Sequence, residues 1–357
     1  MSLSVVSDIV ETNHPGIPWE VCFMAKDGAS GPKILGIQFA KPVEFNGHKP
    51  VRRVALKYGE TRIPIHQQCL NYAIIQPFLS GHLPMIYAHG EIGQSRIGWM
   101  EMEFISEFNL HDAVIEQHLP DSVLTQTVED VLNSFVDMWK KSSTEGFNPK
   151  ECPRNPIARA KRIQKHLATS DIIINDQGTK LMNCVDVPIV VNGKEYPSLM
   201  QTLGAIDYYS PPTISVTCHG DPNADNIMPN GNTWWLTDFE WCGENHDWRM
   251  MASHLFGWWT SNALHLFNEP QVSLRRDALI VNYQADLSPI CKDIQDNVLQ
   301  KCHTMAEFSG DTSWKKQFNR FLSLLYLGDL RFVEARGRKH YTGPLIGEGV
   351  RATHDLN

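Results

Sequence analysis

The stretch that decides the fold is Val216-Thr217-Cys218-His219-Gly220-Asp221-Pro222-Asn223-Ala224-Asp225-Asn226-Ile227-Met228, completed by Trp234-Trp235-Leu236-Thr237-Asp238-Phe239-Glu240. An apolar strand leads into a tight turn that exposes one carboxylate, Asp221. An amide oxygen, Asn226, stands five residues further on. After a short hairpin a second carboxylate, Asp238, closes another apolar strand. A hard cation such as Mg2+ takes oxygen ligands from a few side chains and completes its shell with phosphate oxygens and water. Asn226 and Asp238 can supply the protein oxygens, which leaves Asp221 to orient a hydroxyl and accept its proton. Phosphoryl transfer is catalysed mostly by positioning and charge neutralisation, and this division of groups serves both. A turn cap at His219 and Asp221 alone would account for neither Asn226 nor Asp238.

Upstream, the first hundred residues read mostly as strand. Apolar runs at Glu20–Met24, Lys33–Pro42 and Val51–Lys57 are separated by the small-residue turn Lys26–Gly31 and by Asn46-Gly47, a hairpin signal. Residues 64–79 open with Pro64 and carry Ile65, Cys69, Tyr72 and Ala73 at helical spacing. Two more strands fit Met85–Ala88 and Ile97–Ile105. From Asp121 the pattern turns helical, with Val128, Val131, Leu132, Phe135, Val136 and Trp139 on one stripe. A second helix fits Pro156–Ala168, and a hairpin around Asn192-Gly193 fits Pro188–Pro197. Beyond about residue 250 the chain reads as several helices, ending near Phe318–Val333. A β-rich first part followed by an α-rich second part predicts an α+β protein of two lobes, and a ligand most often lies in a cleft of such a fold.

Composition narrows the function classes. The 357 residues are enough for two domains and a sizeable core. A net charge of -8, from 32 basic and 40 acidic residues, argues against a broad nucleic-acid-binding surface. No apolar run approaches the ~18–20 residues that span a bilayer. The first twenty residues carry neither a basic nor an apolar leader pattern. The eight cysteines are scattered without a CxxC pair, which suits reduced thiols, so a cytoplasmic protein without a zinc ribbon is expected.

The motif His219-Gly220-Asp221-x-x-x-x-Asn226, with Asp238-x-Glu240 behind it, resembles the aminoglycoside phosphotransferase and choline kinase family, whose fold is that of protein kinases. The match is sharp over about 216–250. The resemblance implies a bilobal α+β fold, with residues 1–105 as a nucleotide-binding lobe and 106–357 as a catalytic and acceptor-binding lobe. It implies transfer of the γ-phosphoryl of ATP or GTP, with Mg2+, to a hydroxyl of a small acceptor. Asp221 would be the catalytic base, with Asn226 and Asp238 on the metal. His219 would brace the loop, and Gly243-x-x-x-Asp247 would prop it from behind. Lys57, at the end of its strand, would pair with the nucleotide phosphates, with Arg52 and Arg53 as rivals on that strand. Ser30 and Gly31 would cradle phosphate oxygens, and Glu103 to Ile105 would lend backbone groups to the base. One departure stands out: no Asp or Glu lies between Glu60 and Glu91, so the helix glutamate that usually pairs with the strand lysine is missing. Either Lys57 is held by Asp238 or by an amide such as Gln68, or another basic residue takes its place. That departure is the one support for a rival reading, a nucleotide-binding module without turnover.

The acceptor is less legible. Six of the ten tryptophans, at 234, 235, 241, 248, 258 and 259, fall within 26 residues. Indole faces attract cations, which would suit an alkylamine acceptor, whereas core packing would explain the same cluster. Trp241, Glu240 and Glu244 are the candidate acceptor contacts, with His246 nearby. The basic run Arg331, Arg336, Arg338, Lys339 and His340 fits either an anionic acceptor or a helix C-terminus. His14, His66, His82 and His111 have no metal-ligand spacing and read as surface or capping residues.

Overall fold

The computed structural model describes residues 3–25, 33–45, 47–60, 63–92, 97–175, 177–262, 267–275, 277–285, 287–333 and 341–355. The chain forms two compact units: residues 1–113 with 225–242, and residues 114–224 with 243–357.

In the first unit, α1 (Leu3–Asn13) precedes β1 (Trp19–Met24), β2 (Lys33–Val43), β3 (Val51–Gly59), α2 (Ile65–Leu79), β4 (Ile86–Ile92) and β5 (Ile97–Glu103). The five strands make one antiparallel sheet in the order β1-β2-β3-β5-β4. The period-2 alternation of β3 sends Val54, Leu56 and Tyr58 to one face, where they join Leu35, Ile37 and Phe39 of β2 and Val6, Ile9 and Val10 of α1. The helix α1 is a finding of the structure; the sequence reading assigns no element there. His14, read as a surface or capping residue, is instead buried. Its Nε2 lies 3.2 Å from both oxygens of the buried Glu101, and its ring stands edge-on to Phe39 and Phe45. A carboxylate in a core needs a polar partner, and the end of α1 supplies it.

The inward stripe of α2 is Ile65, Gln68, Asn71, Ile75 and Leu79. Of the stripe read from the sequence only Ile65 is buried, because two amides take inward positions that the apolar pattern would give to Cys69 and Tyr72. The hairpin of strands Ile227–Asn230 and Thr233–Leu236 belongs to this unit although it lies beyond the 105/106 division. Leu236 N donates to His82 O (2.8 Å), the His82 ring stacks on Trp234 with centroids 4.0 Å apart, and Asn230 Nδ2 donates to Ile105 O (3.1 Å).

The second unit is mainly helical. Helix Asp121–Lys141 buries the stripe that its spacing predicts, including Val128, Val131, Leu132, Phe135, Val136 and Trp139, and packs on helix Pro289–Ser309. Helix Trp314–Asp329 packs between Trp248–Asn262 and Thr342–His354. Strand Ile214–Cys218 runs between Thr144–Glu145 and Gly243–His246. A four-stranded sheet joins Phe267–Arg275, Ala278–Ala285, Ile189–Val191 and Lys194–Tyr196. Asn192 and Gly193 have φ of +50° and +84°, the pair of left-handed residues that a two-residue hairpin turn demands.

Two elements depart from the helical reading of the C-terminal third. Residues 267–285 form a β-hairpin in which β-sheet alternation buries Leu279, Val281 and Tyr283. The chain also continues beyond Val333 into helix Thr342–His354, despite its three glycines and a proline. Close packing overrides propensity there: a Cβ on Gly347 would lie 2.4 Å from Tyr283, and one on Gly349 2.6 Å from Leu327. None of the eight cysteines is in a disulfide. No helix among the described residues is long and apolar enough to cross a membrane.

Candidate active site

The sequence-predicted residues that the structure describes fall into two groups, one in each unit. In the first, Lys57 leaves β3 on the face opposite Leu56 and is 3% exposed. Its Nζ donates to Asp238 Oδ1 at 2.8 Å and to Gln68 Oε1 at 2.9 Å, and lies 3.8 Å from Glu240 Oε1. Both partners anticipated for this lysine are therefore present together, and Gln68 reaches it from α2, the helix that carries no carboxylate. The Gln68 amide is oriented by its own donation to Ile63 O (2.8 Å), which turns its oxygen toward the ammonium. Asn71, one turn on, donates through Nδ2 to the carbonyls of Phe239 (3.0 Å) and Glu240 (3.1 Å). Asn71 pins the segment that carries Asp238 directly, and Gln68 acts on it through Lys57.

Asp238 itself has φ of +66°, a left-handed conformation that costs a residue with a Cβ on the order of 1 kcal/mol. The twist ends the strand and accompanies the contact with Lys57. Thr237 donates to Asn226 O from its backbone N (2.9 Å) and from Oγ1 (3.2 Å), so the Asn226 backbone is tied to the residue before Asp238. The donor set is all oxygen, one carboxylate and one amide, and it fits a hard divalent cation better than a softer metal. Among the described residues no three His, Cys, Asp or Glu side chains cluster as a metal site, and phosphate oxygens and water would complete the shell of an ion held by Asn226 and Asp238. Glu240 is buried beside Lys57.

Other candidates for the nucleotide are placed as follows. Glu103 N donates to Met85 O (2.8 Å), its Oε2 accepts from Met85 N (3.2 Å), and Ile105 O accepts from Asn230. Arg53 is exposed, reaches Glu107 at 3.3 Å and lies over the Phe104 ring, while Arg52 is exposed. Ser30 and Gly31 lie outside the described residues, as do Arg336, Arg338, Lys339 and His340. Trp241 is half-buried and Glu244 exposed.

The second group is built on Asp221. Strand Ile214–Cys218 delivers His219 and Gly220, and Gly220 takes φ of +81°, which a side chain would resist. Arg154 grips the Asp221 carboxylate as a fork, with Nη1 3.2 Å from Oδ1 and Nη2 2.9 Å from Oδ2. The buried His254 presents Nδ1 to Oδ1 at 3.3 Å, and Arg159 Nη1 donates to His254 Nε2 at 2.6 Å. Nδ1 also lies 3.2 Å from Arg154 Nη1; an arginine can only donate, and the shorter Arg159 contact makes Nε2 the acceptor, which puts the imidazole proton on Nδ1, the nitrogen beside Asp221. Burial, reinforced by the two guanidinium groups against the pull of Asp221, brings His254 down to about 4, so the ring is neutral at pH 7. Burial alone would raise the Asp221 carboxyl, but Arg154 and His254 override it and hold it well below the usual carboxylate range.

Behind this loop lies the Gly243–Asp247 segment. Gly243 pairs with Cys218 and His246 with Val216. Asp247, fully buried, accepts from Arg249 Nε (2.9 Å) and Nη2 (2.7 Å) and from Tyr209 OH (2.8 Å), while Arg249 Nη1 donates to Asp311 (2.9 Å). Each charge in this buried network meets an opposite one. Trp234, Trp248, Trp258 and Trp259 are buried. The residues that sequence reasoning missed are Arg154, Arg159 and His254.

Neither a family model nor a curated protein matches the sequence. Solved structures do. A structure from Ralstonia eutropha, named as a candidate aminoglycoside phosphotransferase, superposes with a TM-score of 0.53 at 11% identity, covering 100% of this chain and 99% of that one. The chain has a protein-kinase-like fold. A candidate fructosamine-3-kinase from Haemophilus somnus is similar at 9% identity and a TM-score of 0.49, covering 97% and 96% of the two chains.

Proposed function

We propose that the protein is a small-molecule kinase that uses ATP or GTP and Mg2+. The observation that carries the reading is the contact set of Lys57, a buried lysine that joins the partly exposed Asp238 to the buried Gln68 beside the backbone tie from Thr237 to Asn226. Asn226 and Asp238 would hold the ion, which when bound neutralises the charge of the triphosphate. Lys57 orients the phosphates. Asp221 accepts a hydrogen bond from the acceptor hydroxyl and takes its proton as the acceptor oxygen bonds to the γ-phosphorus. The bond from that phosphorus to the β-bridging oxygen breaks, and the nucleoside diphosphate leaves. A carboxylate held ionised is adequate here, because the loose transition state asks for orientation first and proton removal late.

The rival, a nucleotide-binding module without turnover, draws support from the Arg154 fork that engages both Asp221 oxygens. One assay separates them. Nucleoside diphosphate production is followed with Mg2+ and a panel of hydroxyl acceptors, for the native protein and for Asp221→Asn. Acceptor-dependent production that falls about 10³-fold in the variant, with nucleotide binding retained, supports the kinase. Nucleotide binding with no production from any acceptor supports the module.

A further inference from the structure

The surroundings of Asp221 say something about what the acceptor carries. Arg154 and Arg159 are set by a well-made helix start. Asn155 caps helix Pro156–Ala168 by accepting from Ala158 N (3.0 Å) and is itself anchored through Nδ2 on Pro149 O (2.6 Å). Arg154 therefore sits just ahead of the helix, and Arg159 follows within its first turn or so. Arg154 spends its charge on Asp221. Arg159 donates instead to the neutral His254 ring. Among the described residues the strongest charges that act on Arg159 are those of Arg154 and Arg331 against those of Asp329 and Asp221. The group thus holds three guanidinium groups against two carboxylates. It is not sealed: the side chains of Arg154 and Asp221 keep 15% and 24% of their surface in solvent, and Arg159 is half-buried. Such an excess repels an ammonium acceptor and favours an oxyanion, for which a planar guanidinium is the best-matched donor. The buried state of Trp248, Trp258 and Trp259 in the same unit also removes most of the aromatic cage that a cationic acceptor would need.

We propose that the acceptor is a small hydroxylated oxyanion, a hydroxy acid or a polyol phosphate, whose carboxylate or phosphate is held by Arg159 while Arg154 keeps its fork on Asp221 and the acceptor hydroxyl meets Asp221. This rests on Asp221 being the group that receives the acceptor.

The test uses four probes on one three-carbon skeleton: glycerate, glycerol 3-phosphate, glycerol and 3-amino-1,2-propanediol. Binding to the full-length protein is measured by calorimetry without nucleotide, so the result does not depend on turnover. Glycerate or glycerol 3-phosphate is expected to bind at least tenfold more tightly than the neutral and cationic probes, and whichever of the two binds better identifies the anion as carboxylate or phosphate. In Arg159→Gln that preference should fall at least fivefold, and Arg159→Lys should restore part of it, with thermal melting confirming that both variants are folded. Preference for glycerol or the amine, equal binding of all four, binding of none, or an anion preference untouched in Arg159→Gln overturns the proposal. An anion preference that persists in a protein showing no nucleotide turnover would leave the oxyanion site standing and reject the kinase reading instead.

Discussion

The groups around Lys57 and Asp221 are mirror images in charge. Around Lys57 one cation faces two carboxylates, Asp238 and Glu240. Around Asp221 the carboxylates are outnumbered by guanidinium groups. On the proposed reading the first would take a divalent cation and the second an anion, so the sign of the local excess, and not the presence of ion pairs, would separate their roles. The first is also braced by neutral amides, Gln68 and Asn71, which orient without adding charge. The second is braced by a neutral imidazole, and that makes it the acid-sensitive one.

Replacing Lys57 with Met is the harshest way to break this contrast. It leaves Asp238 and Glu240 facing each other without their cation, and breaking a buried pair from one side costs about 3–5 kcal/mol. Urea unfolding at neutral pH should show a loss near the lower end of that range, because Asp238 is partly solvated. An unchanged midpoint would mean that the lysine is not structurally committed to its carboxylates.

A smaller effect follows from His254. Its folded value of about 4 lies below the ordinary 6.5, so as pH falls the unfolded chain takes up this proton first. The contribution is fully present above about pH 6.5 and is lost as pH falls toward 4. Between pH 7 and 5 the native protein should lose about 2 kcal/mol to this group, and His254→Gln should lose correspondingly less over the same interval. Asp221, held below the usual carboxylate range, adds a further loss only at lower pH, as its protonation begins. Parallel unfolding titrations of the two proteins check the slope; identical slopes would contradict a buried neutral imidazole.

How much of this was legible in the chain depended on distance. The strand that carries Lys57, which runs two residues past the reading to Gly59, the helix behind Pro64 and the turn at Asn192-Gly193 are local patterns, and each formed close to where its own residues predict. Asp238 and Gln68 could be named as partners of Lys57 because a missing helix carboxylate posed the question directly. Arg154, Arg159 and His254 could not be named. They lie 67, 62 and 33 residues from Asp221 in sequence, and no spacing rule connects a residue at a helix start to a turn that far away. Asn155-Pro156 marks that helix start, but nothing in it shows what Arg154 will meet. The helix Thr342–His354 failed for another reason: its glycines argue against a helix until Tyr283 and Leu327 are seen to occupy the space where side chains would stand. In the α2 stripe the apolar pattern misled, since Gln68 and Asn71 are inward for their hydrogen bonds and not for their hydrophobicity.

On the proposed reading Asp238, held by Lys57 and joined to Asn226 through Thr237, takes a divalent ion that carries a nucleotide. Calorimetric titration of ATP with and without Mg2+, in the native protein and in Asp238→Asn, tests it most directly. Mg2+ is expected to tighten ATP binding at least tenfold in the native protein, and this gain should disappear in the folded variant. An ATP affinity indifferent to Mg2+ in the native protein, or a gain preserved intact in Asp238→Asn, would contradict it.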